Sequence, residues 1–329
     1  MSHANISIFV PHLGCPNKCS FCNQCHITGK VEQPTPQDID LAVNKAISSK
    51  NYSNTDTEIA FFGGSFTAID RDYMLSLLNA AGKYVKDNTV KGIRISTRPD
   101  SINREILDIL KSFGVTAIEL GAQSMVDSVL EKNDRGHKAE DVEKASRLIK
   151  DYGFELGLQM MTGLYTDTNE GSIYTAKKII ELRPETVRIY PTIVLENTRL
   201  AELFKTGEYA PQTVDEASHL VVDLIKMFES NNISVIRVGL HTIDENSYVA
   251  GPWHAAFGEI CESIKYFELI TNKLTTKGTF NVFVKNSEIS KAIGQSKSNI
   301  KELKEMGYDI KIVGDNSLEK YEIKVGEVK

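Results

Sequence analysis

Residues 6 to 22 read Ile6-Ser-Ile-Phe-Val10, then Pro-His-Leu-Gly, then Cys15-Pro-Asn-Lys-Cys19-Ser-Phe-Cys22. The β-branched run predicts a short buried strand, and the thiols after it are spaced C-x3-C-x2-C with an aromatic directly before the last. Three thiolates on one tight loop can hold three irons of a cubane cluster, leaving the fourth iron open to chelate a small molecule. The competing reading is a structural zinc knot, because Cys22-Asn-Gln-Cys25 adds a fourth thiol and four thiolates suit tetrahedral zinc. Zinc ligand pairs usually come from two separated loops, whereas these four crowd one, which favours a cluster on Cys15, Cys19 and Cys22. Cys25 is then a free thiol or one beside the ligands. If it closed the cluster instead, the open iron would vanish.

Outward from that stretch the strand-then-helix order repeats. The runs at 58–62, 92–96, 117–121, 155–161 and 186–190 predict further buried parallel strands, with helices at about 36–49, 71–86, 103–113, 139–151, 170–182 and 213–230. Six repeats predict an α/β fold, a partial (β/α)6 barrel of the TIM type, whose functional loops lie at the carboxyl ends of the strands. The cysteines stand at such an end. A further strand at 233–240 and a helix at about 255–273 follow, and Lys273 to Thr279 reads as a linker. Residues 1–272 are thus expected to form the barrel with its extension, and 279–329 a small α+β module.

Composition agrees with a globular chain of about two domains: 329 residues, 41% hydrophobic, 25% charged, net charge -6. The acidic balance argues against a uniformly basic nucleic-acid binder, though not against a local basic patch. No apolar run approaches the roughly eighteen residues of a membrane span, and the first ten residues lack a basic start before a cleavable apolar stretch. The expectation is a cytoplasmic protein with no membrane partner.

The cysteine spacing, the aromatic and the place after a first barrel strand together resemble the radical S-adenosylmethionine (SAM) superfamily. The resemblance implies a [4Fe-4S] cluster and SAM as cofactors. In that family the amino and carboxylate groups of SAM bind the fourth iron, and an electron from the cluster cleaves the sulfonium to a 5′-deoxyadenosyl radical. An electron donor such as a ferredoxin or flavodoxin is implied as a partner. So are the SAM contacts: Gly63, Gly64 and Ser65 after the second strand at the methionine amino group, and Gln123 at the ribose or adenine side. Arg135 matches the arginine that clamps the carboxylate, a task suited to a planar fork of donors. Gln159 falls near the ribose, and Thr97 ends the third strand as a further candidate. Singly, each has an ordinary reading: a tight turn, a buried strand-end amide, a solvated loop arginine.

The strings Thr97-Arg-Pro-Asp100, Glu119-Leu-Gly-Ala-Gln-Ser124, Asn133-Asp-Arg-Gly-His137, Met160-Met161, Arg188-Ile-Tyr-Pro-Thr192, Glu202 to Tyr209 and Val249 to His254 occur in order. Over about residues 5–265 they resemble the radical domain of the Elongator catalytic subunit. That family modifies uridine at the wobble position of tRNA, adding a carboxymethyl group at C5 with acetyl-coenzyme A. The resemblance implies a tRNA-modifying transferase with RNA as its partner. That subunit also carries an acetyltransferase domain, and the fifty or so residues after the linker are too few for one. The cysteine loop is also shorter and differently spaced, so the acetyl donor is not carried over.

The tail has the order strand, helix, GQSK turn, helix, strand, strand, and it resembles a KH-type RNA-binding module with Ile293-Gly294-Gln-Ser-Lys297 at the place of its GXXG loop. The second glycine is Lys297, whose charge suits a phosphate contact. Residues 279–329 hold nine Lys against eight carboxylates. Lys285, Lys291, Gly294, Lys297 and Lys301 are the RNA-contact candidates, and a solvated helix face is the alternative. Cys261 reads as a buried small hydrophobe or a second catalytic thiol, Tyr190 as core or as a radical relay, and Trp253 and His254 as pocket mouth or helix cap. His12 reads as a turn residue or a neighbour of the cluster. Two rival functions stand beside RNA modification: radical chemistry on a small molecule such as a porphyrinogen, and a non-enzymatic zinc-stabilised RNA-binding protein.

Overall fold

The computed structural model describes residues 4–11, 19–23, 32–240 and 243–327. Parallel strands run in chain order across one sheet: β1 (Ala4–Val10), β2 (Thr57–Gly63), β3 (Gly92–Thr97), β4 (Val115–Gln123), β5 (Glu155–Thr162) and β6 (Thr186–Pro191). The short β7 (Val194–Leu195) lies outside it, and β8 (Ser234–Val238) adds a seventh parallel strand beside β6. The expected partial barrel is present, and the run at 233–240 extends it from six strands to seven.

The crossovers are α1 (Pro36–Ile47), α2 (Arg71–Lys86), α3 (Arg104–Ser112), α4 (Asp127–Lys132), α5 (Ala139–Asp151), α6 (Asn169–Leu182), α7 (Arg199–Lys205) and α8 (Val214–Ser230). The two short helices, α4 and α7, carry too few turns to show a period in sequence. Capping fixes several starts. Thr35 and Asp38 form a reciprocal box at α1, as do Thr213 and Glu216 at α8. One side of each strand meets the helices: Ile59, Phe61, Ile93, Ile95, Ile118, Leu120, Leu156 and Leu158 share one core with Leu77, Leu78, Leu107, Leu110 and Ile149.

The alternate strand positions carry charge. Arg94 donates through Nε to Glu58 (2.9 Å) and through Nη2 to Glu155 (2.8 Å), and its Nη1 lies 3.5 Å from Glu119. Arg188 grips Glu119 with both arms of its fork, at 2.7 and 2.9 Å, above the ring of Phe62. Burial opposes the charge on Arg94, but Glu58, Glu155 and Glu119 outweigh it and hold the guanidinium ionised. These five side chains come one each from β2 to β6.

Beyond the barrel, β9 (Tyr248–Ala250) pairs antiparallel with β7 and leads into α9 (Phe257–Lys273). The tail folds as β10 (Gly278–Val284), α10 (Ile289–Ile293), α11 (Ser298–Glu305), β11 (Tyr308–Gly314) and β12 (Lys324–Glu327). Its sheet has the order β11-β10-β12, with β10 parallel to β11 and antiparallel to β12. The linker expected at 273–279 is only residues 274–277, and the core does not divide there. Phe257 and Cys261 of α9 belong to the barrel core, whereas Tyr266 and Ile270 of the same helix, with Leu274, belong to the core of Phe280, Val282, Ala292 and Leu303. One helix serves both units. No helix among the described residues is long and apolar enough to cross a membrane.

Arg94→Met would leave Glu58, fully buried, without its guanidinium. Removing one partner of a buried pair typically destabilises by about 3–5 kcal/mol. Urea unfolding followed by circular dichroism should show a loss of that size, and a variant as stable as the parent would remove the belt's structural role.

Candidate active site

The described part of the cysteine loop, residues 19–23, lies at the carboxyl ends of the strands. The amide of Cys22 donates to the carbonyl of Cys19 at 3.1 Å, a tight turn that puts both residues on one short stretch. Ser20 anchors the turn: its amide donates to the Asn133 carbonyl (3.1 Å), its hydroxyl to Asn133 Oδ1 (2.7 Å), and its carbonyl accepts from the Leu200 amide (2.8 Å). Phe21 packs with Tyr165, Leu200 and Tyr209. Cys15, Cys25 and His12 lie outside the described residues.

The glycines at the end of β2 bring that strand against β1. The amide of Gly64 donates to the Val10 carbonyl at 3.0 Å, and a Cβ on Gly63, whose φ is +117°, would stand 2.5 Å from the same oxygen. Only glycine accepts both constraints. Ser65 and Thr97 are joined directly. The Thr67 hydroxyl donates to the Ser101 carbonyl (2.8 Å), which leaves it to accept from Thr97 (2.6 Å), and Thr97 in turn accepts from Ser65 (2.8 Å). Ser65 Oγ also accepts the amide of Arg98 at 3.2 Å. Both hydroxyl protons are therefore committed to bracing strand ends.

Gln123, Arg135 and Thr97 converge on one point. A Cβ on Gly121 would stand 3.0 Å from Gln123 Nε2, 3.5 Å from Arg135 Nη2 and 3.8 Å from the Thr97 carbonyl. Gln123 has a φ of +65° where the β4–β5 register slips, and its buried Oε1 has no hydrogen-bond partner among the described residues. Backbone in that region is held by its surroundings and recurs at functional sites. Arg135 is 7% exposed; it donates through Nη1 to Cys19 Sγ (3.0 Å) and through Nη2 to the Gly121 carbonyl (2.8 Å), while its buried Nε has no partner among the described residues. Gln159 is the register partner of Gly121 and donates to Glu119 at 3.0 Å, tying the site to the charged belt. Orphaned donor and acceptor atoms beside a thiol, around a cradle that a methyl would crowd, fit a polar ligand next to a thiolate-bound cluster.

Sequence reasoning missed three supports. Arg98, 4% exposed, grips Asp100 with two arms (2.8 and 2.9 Å) and donates to the Arg135 carbonyl (2.8 Å). Asn133 ties the cysteine turn to the Tyr165 carbonyl (3.0 Å). His137 faces the Ala122 carbonyl at 3.3 Å beneath the arginine. Cys261 is buried, and burial pushes its thiol up to about 12, which leaves it inert as a nucleophile.

The RNA candidates separate by their partners. Lys285 pairs with Glu319 (3.1 Å), and Lys291 is half-buried between Glu288 (3.0 Å) and Glu262 (3.7 Å), where it latches the tail to α9. Lys297 and Lys301 are exposed, with no ion pair among the described residues. A Cβ on Gly294 would stand 2.3 Å from Ser298 Oγ, so glycine lets the turn close on α11.

A family model described as the radical SAM superfamily matches residues 9–179, and one described as the radical SAM C-terminal domain matches 184–266. The chain is 24% identical over 252 residues to a tRNA uridine(34) acetyltransferase of Dehalococcoides mccartyi, covering 67% of this chain and 55% of that one. It is 31% identical over 184 residues to the enzyme of the same name from Methanocaldococcus jannaschii, covering 50% and 34%. An uncharacterised protein of the latter organism is 28% identical over 283 residues, covering 81% and 84%. The chain spans about half the length, or less, of the tRNA uridine(34) acetyltransferases it matches. Among solved structures, the archaeal Methanocaldococcus infernus Elp3 with an N-terminal deletion superposes with a TM-score of 0.66 at 23% identity, covering 82% of this chain and 63% of that one.

Burial, and next the charge of Arg135, push the His137 imidazole down to about 4 from an ordinary 6.5. The fold thus favours the neutral ring, and its contribution is complete above pH 6.5 and is lost as pH falls toward 4. Between pH 7 and pH 5 the parent should lose about 2 kcal/mol of unfolding free energy that His137→Gln does not. Equal losses in urea titrations of the two would reject the assignment.

Proposed function

Because the chain belongs to the radical SAM superfamily, whose members use a [4Fe-4S] cluster and SAM, we propose that Cys15, Cys19 and Cys22 hold the cluster of an enzyme that modifies an RNA base. The cluster and SAM, when bound, supply reductive cleavage of the sulfonium to a 5′-deoxyadenosyl radical. This chain's own residues bind and orient. Gly63 and Gly64 open the backbone between β1 and β2 for the methionine end, and Ser65 and Thr97 hold those strand ends in place. Gln123, with its orphaned carbonyl oxygen, faces the ribose or adenine side, and Gln159 the ribose. Arg135 stands where the carboxylate would lie. The electron is assigned to a ferredoxin or flavodoxin.

The observation that carries the RNA reading is kinship with proteins named as tRNA uridine(34) acetyltransferases and Elongator complex protein 3, at 24–35% identity. A tRNA wobble uridine is accordingly the proposed substrate, and the group transferred is left open. The tail supports the reading through the tight turn at Gly294 and through Lys297 and Lys301, exposed and without an ion pair among the described residues.

Purified without oxygen, reconstituted with iron and sulfide and reduced, the protein should convert SAM to 5′-deoxyadenosine, and Cys19→Ala should fall to background. Nucleosides from anaerobically grown cells with and without the gene should differ in a uridine derivative; identical profiles would sink the RNA assignment.

For the tail, the paired substitution Lys297→Ala and Lys301→Ala should weaken tRNA binding. The slope of log K against log salt should become shallower by roughly 0.7–0.9 per lysine. An unchanged slope would remove the module from the RNA interface.

A further inference from the structure

We propose that Arg135 is a hydrogen-bond donor to the cluster-binding thiolate of Cys19 that raises the reduction potential of the cluster, with Arg98 and Asp100 as the positioning residues that hold it there. The inference rests on reading the cysteines as cluster ligands.

Three observations carry it. First, Nη1 of Arg135 lies 3.0 Å from Cys19 Sγ while Nη2 donates to the Gly121 carbonyl at 2.8 Å, so the fork spans the end of β4 and the cysteine turn. Second, among the described residues no carboxylate pairs with Arg135. Asp100, two residues after Arg98, is engaged by both arms of that arginine. The guanidinium is nevertheless largely buried, and a buried cation takes an anion as its partner. Here the group that its Nη1 reaches is the sulfur of Cys19. Third, the arginine is fixed from behind: Arg98 donates to its carbonyl at 2.8 Å, and the Arg98 amide is itself held by Ser65 Oγ at 3.2 Å. The ring of Phe21, two residues after Cys19, lies 5.9 Å from the guanidinium carbon and closes another side.

Adding an electron makes the cluster and its thiolates more negative. A donor and a positive charge aimed at one ligating sulfur stabilise that state more than the oxidised one, and hydrogen bonds to sulfur are among the levers that set such potentials. Clamping the SAM carboxylate is a different task, and the two separate cleanly. A residue that only clamps SAM changes SAM affinity and leaves the potential of the cluster alone untouched. A donor to the thiolate changes the potential with no SAM present.

The test is a redox titration of the reconstituted protein with dithionite and mediators, without SAM, following the reduced cluster by electron paramagnetic resonance and checking four irons per chain. Arg135→Gln should titrate at a more negative potential than the parent. Arg135→Lys keeps charge but cannot span both acceptors, and should fall between them. Asp100→Asn, which loosens the grip on Arg98, should shift the same way by less. Clusters of four irons that titrate at the parental potential in the Arg135 variants would overturn the inference. Loss of the cluster in both would overturn it too, assigning Arg135 to assembly instead. If the unaltered protein assembles no four-iron cluster, the cysteine reading itself fails and the inference falls with it.

Discussion

Five charged side chains, one from each of five successive strands, pair with one another across the concave face of the sheet, two guanidinia among three carboxylates. A parallel sheet wrapped by helices can fill its outer face with aliphatic side chains, but a partial barrel leaves an inner face without a second layer. Here that face is closed by Glu58, Arg94, Glu119, Glu155 and Arg188. Each is satisfied only if its strand keeps its place, because a slip of one residue would turn a charge toward the aliphatic layer. The belt thus fixes register where apolar packing alone would tolerate small shifts. Glu119 sits at its centre, held by Arg188 and touched by Arg94 and by Gln159.

The site stands one level above, on strand ends whose register the belt has already set. Gln159 is the link: its amide donates down to Glu119, and its backbone is level with Gly121. From there upward the construction passes to loops, and the loops are held by polar groups from distant parts of the chain. Arg98 follows β3 and reaches the Arg135 loop. Ser20 in the cysteine turn reaches Asn133, and Leu200 in α7 donates to Ser20. Every one of these is a bond between segments far apart in sequence. The cysteine turn is therefore placed by the completed barrel and could not be held by its own short stretch.

That division explains what the sequence disclosed. Strand and helix positions were readable because aliphatic periodicity is a local signal: the first six expected strands fall within the observed ones, and the run at 233–240 contains β8 (Ser234–Val238). The glycines at 63 and 64 were legible as a place for a ligand, and the cysteine spacing as a ligand pattern. The braces at Arg98 and Asn133 were not, because nothing local distinguishes a loop arginine that grips a backbone carbonyl from one that is solvated. The belt had a signal that went unused. One charge interrupts each aliphatic run at 58, 94, 119 and 188, and a lone charge recurring in successive buried strands marks a shared interior face. The shared helix was hidden for another reason: a Thr- and Lys-rich stretch at 273–279 reads as a boundary in the chain, whereas packing is decided by the side chains of α9.

That helix also constrains how the tail can work with the barrel. Its 17 residues span about 25 Å, with Cys261 in one core and Tyr266 and Ile270 in the other. Between them, Glu262 accepts from Lys320 and Tyr321, and Ser263 exchanges bonds with the Lys291 carbonyl and Asn299. A unit joined by a flexible linker could swing; one that shares the middle of a helix, latched by buried polar groups, cannot do so without breaking both cores. The turn at Gly294 is consequently held near the segment that follows β9, where Gln295 meets His254 at 3.5 Å. On the RNA reading, the spacing between the turn and the strand ends is a fixed ruler. The substrate must then bring its target base to the barrel through its own fold, so selection would rest on the shape of the RNA as much as on the identity of the base.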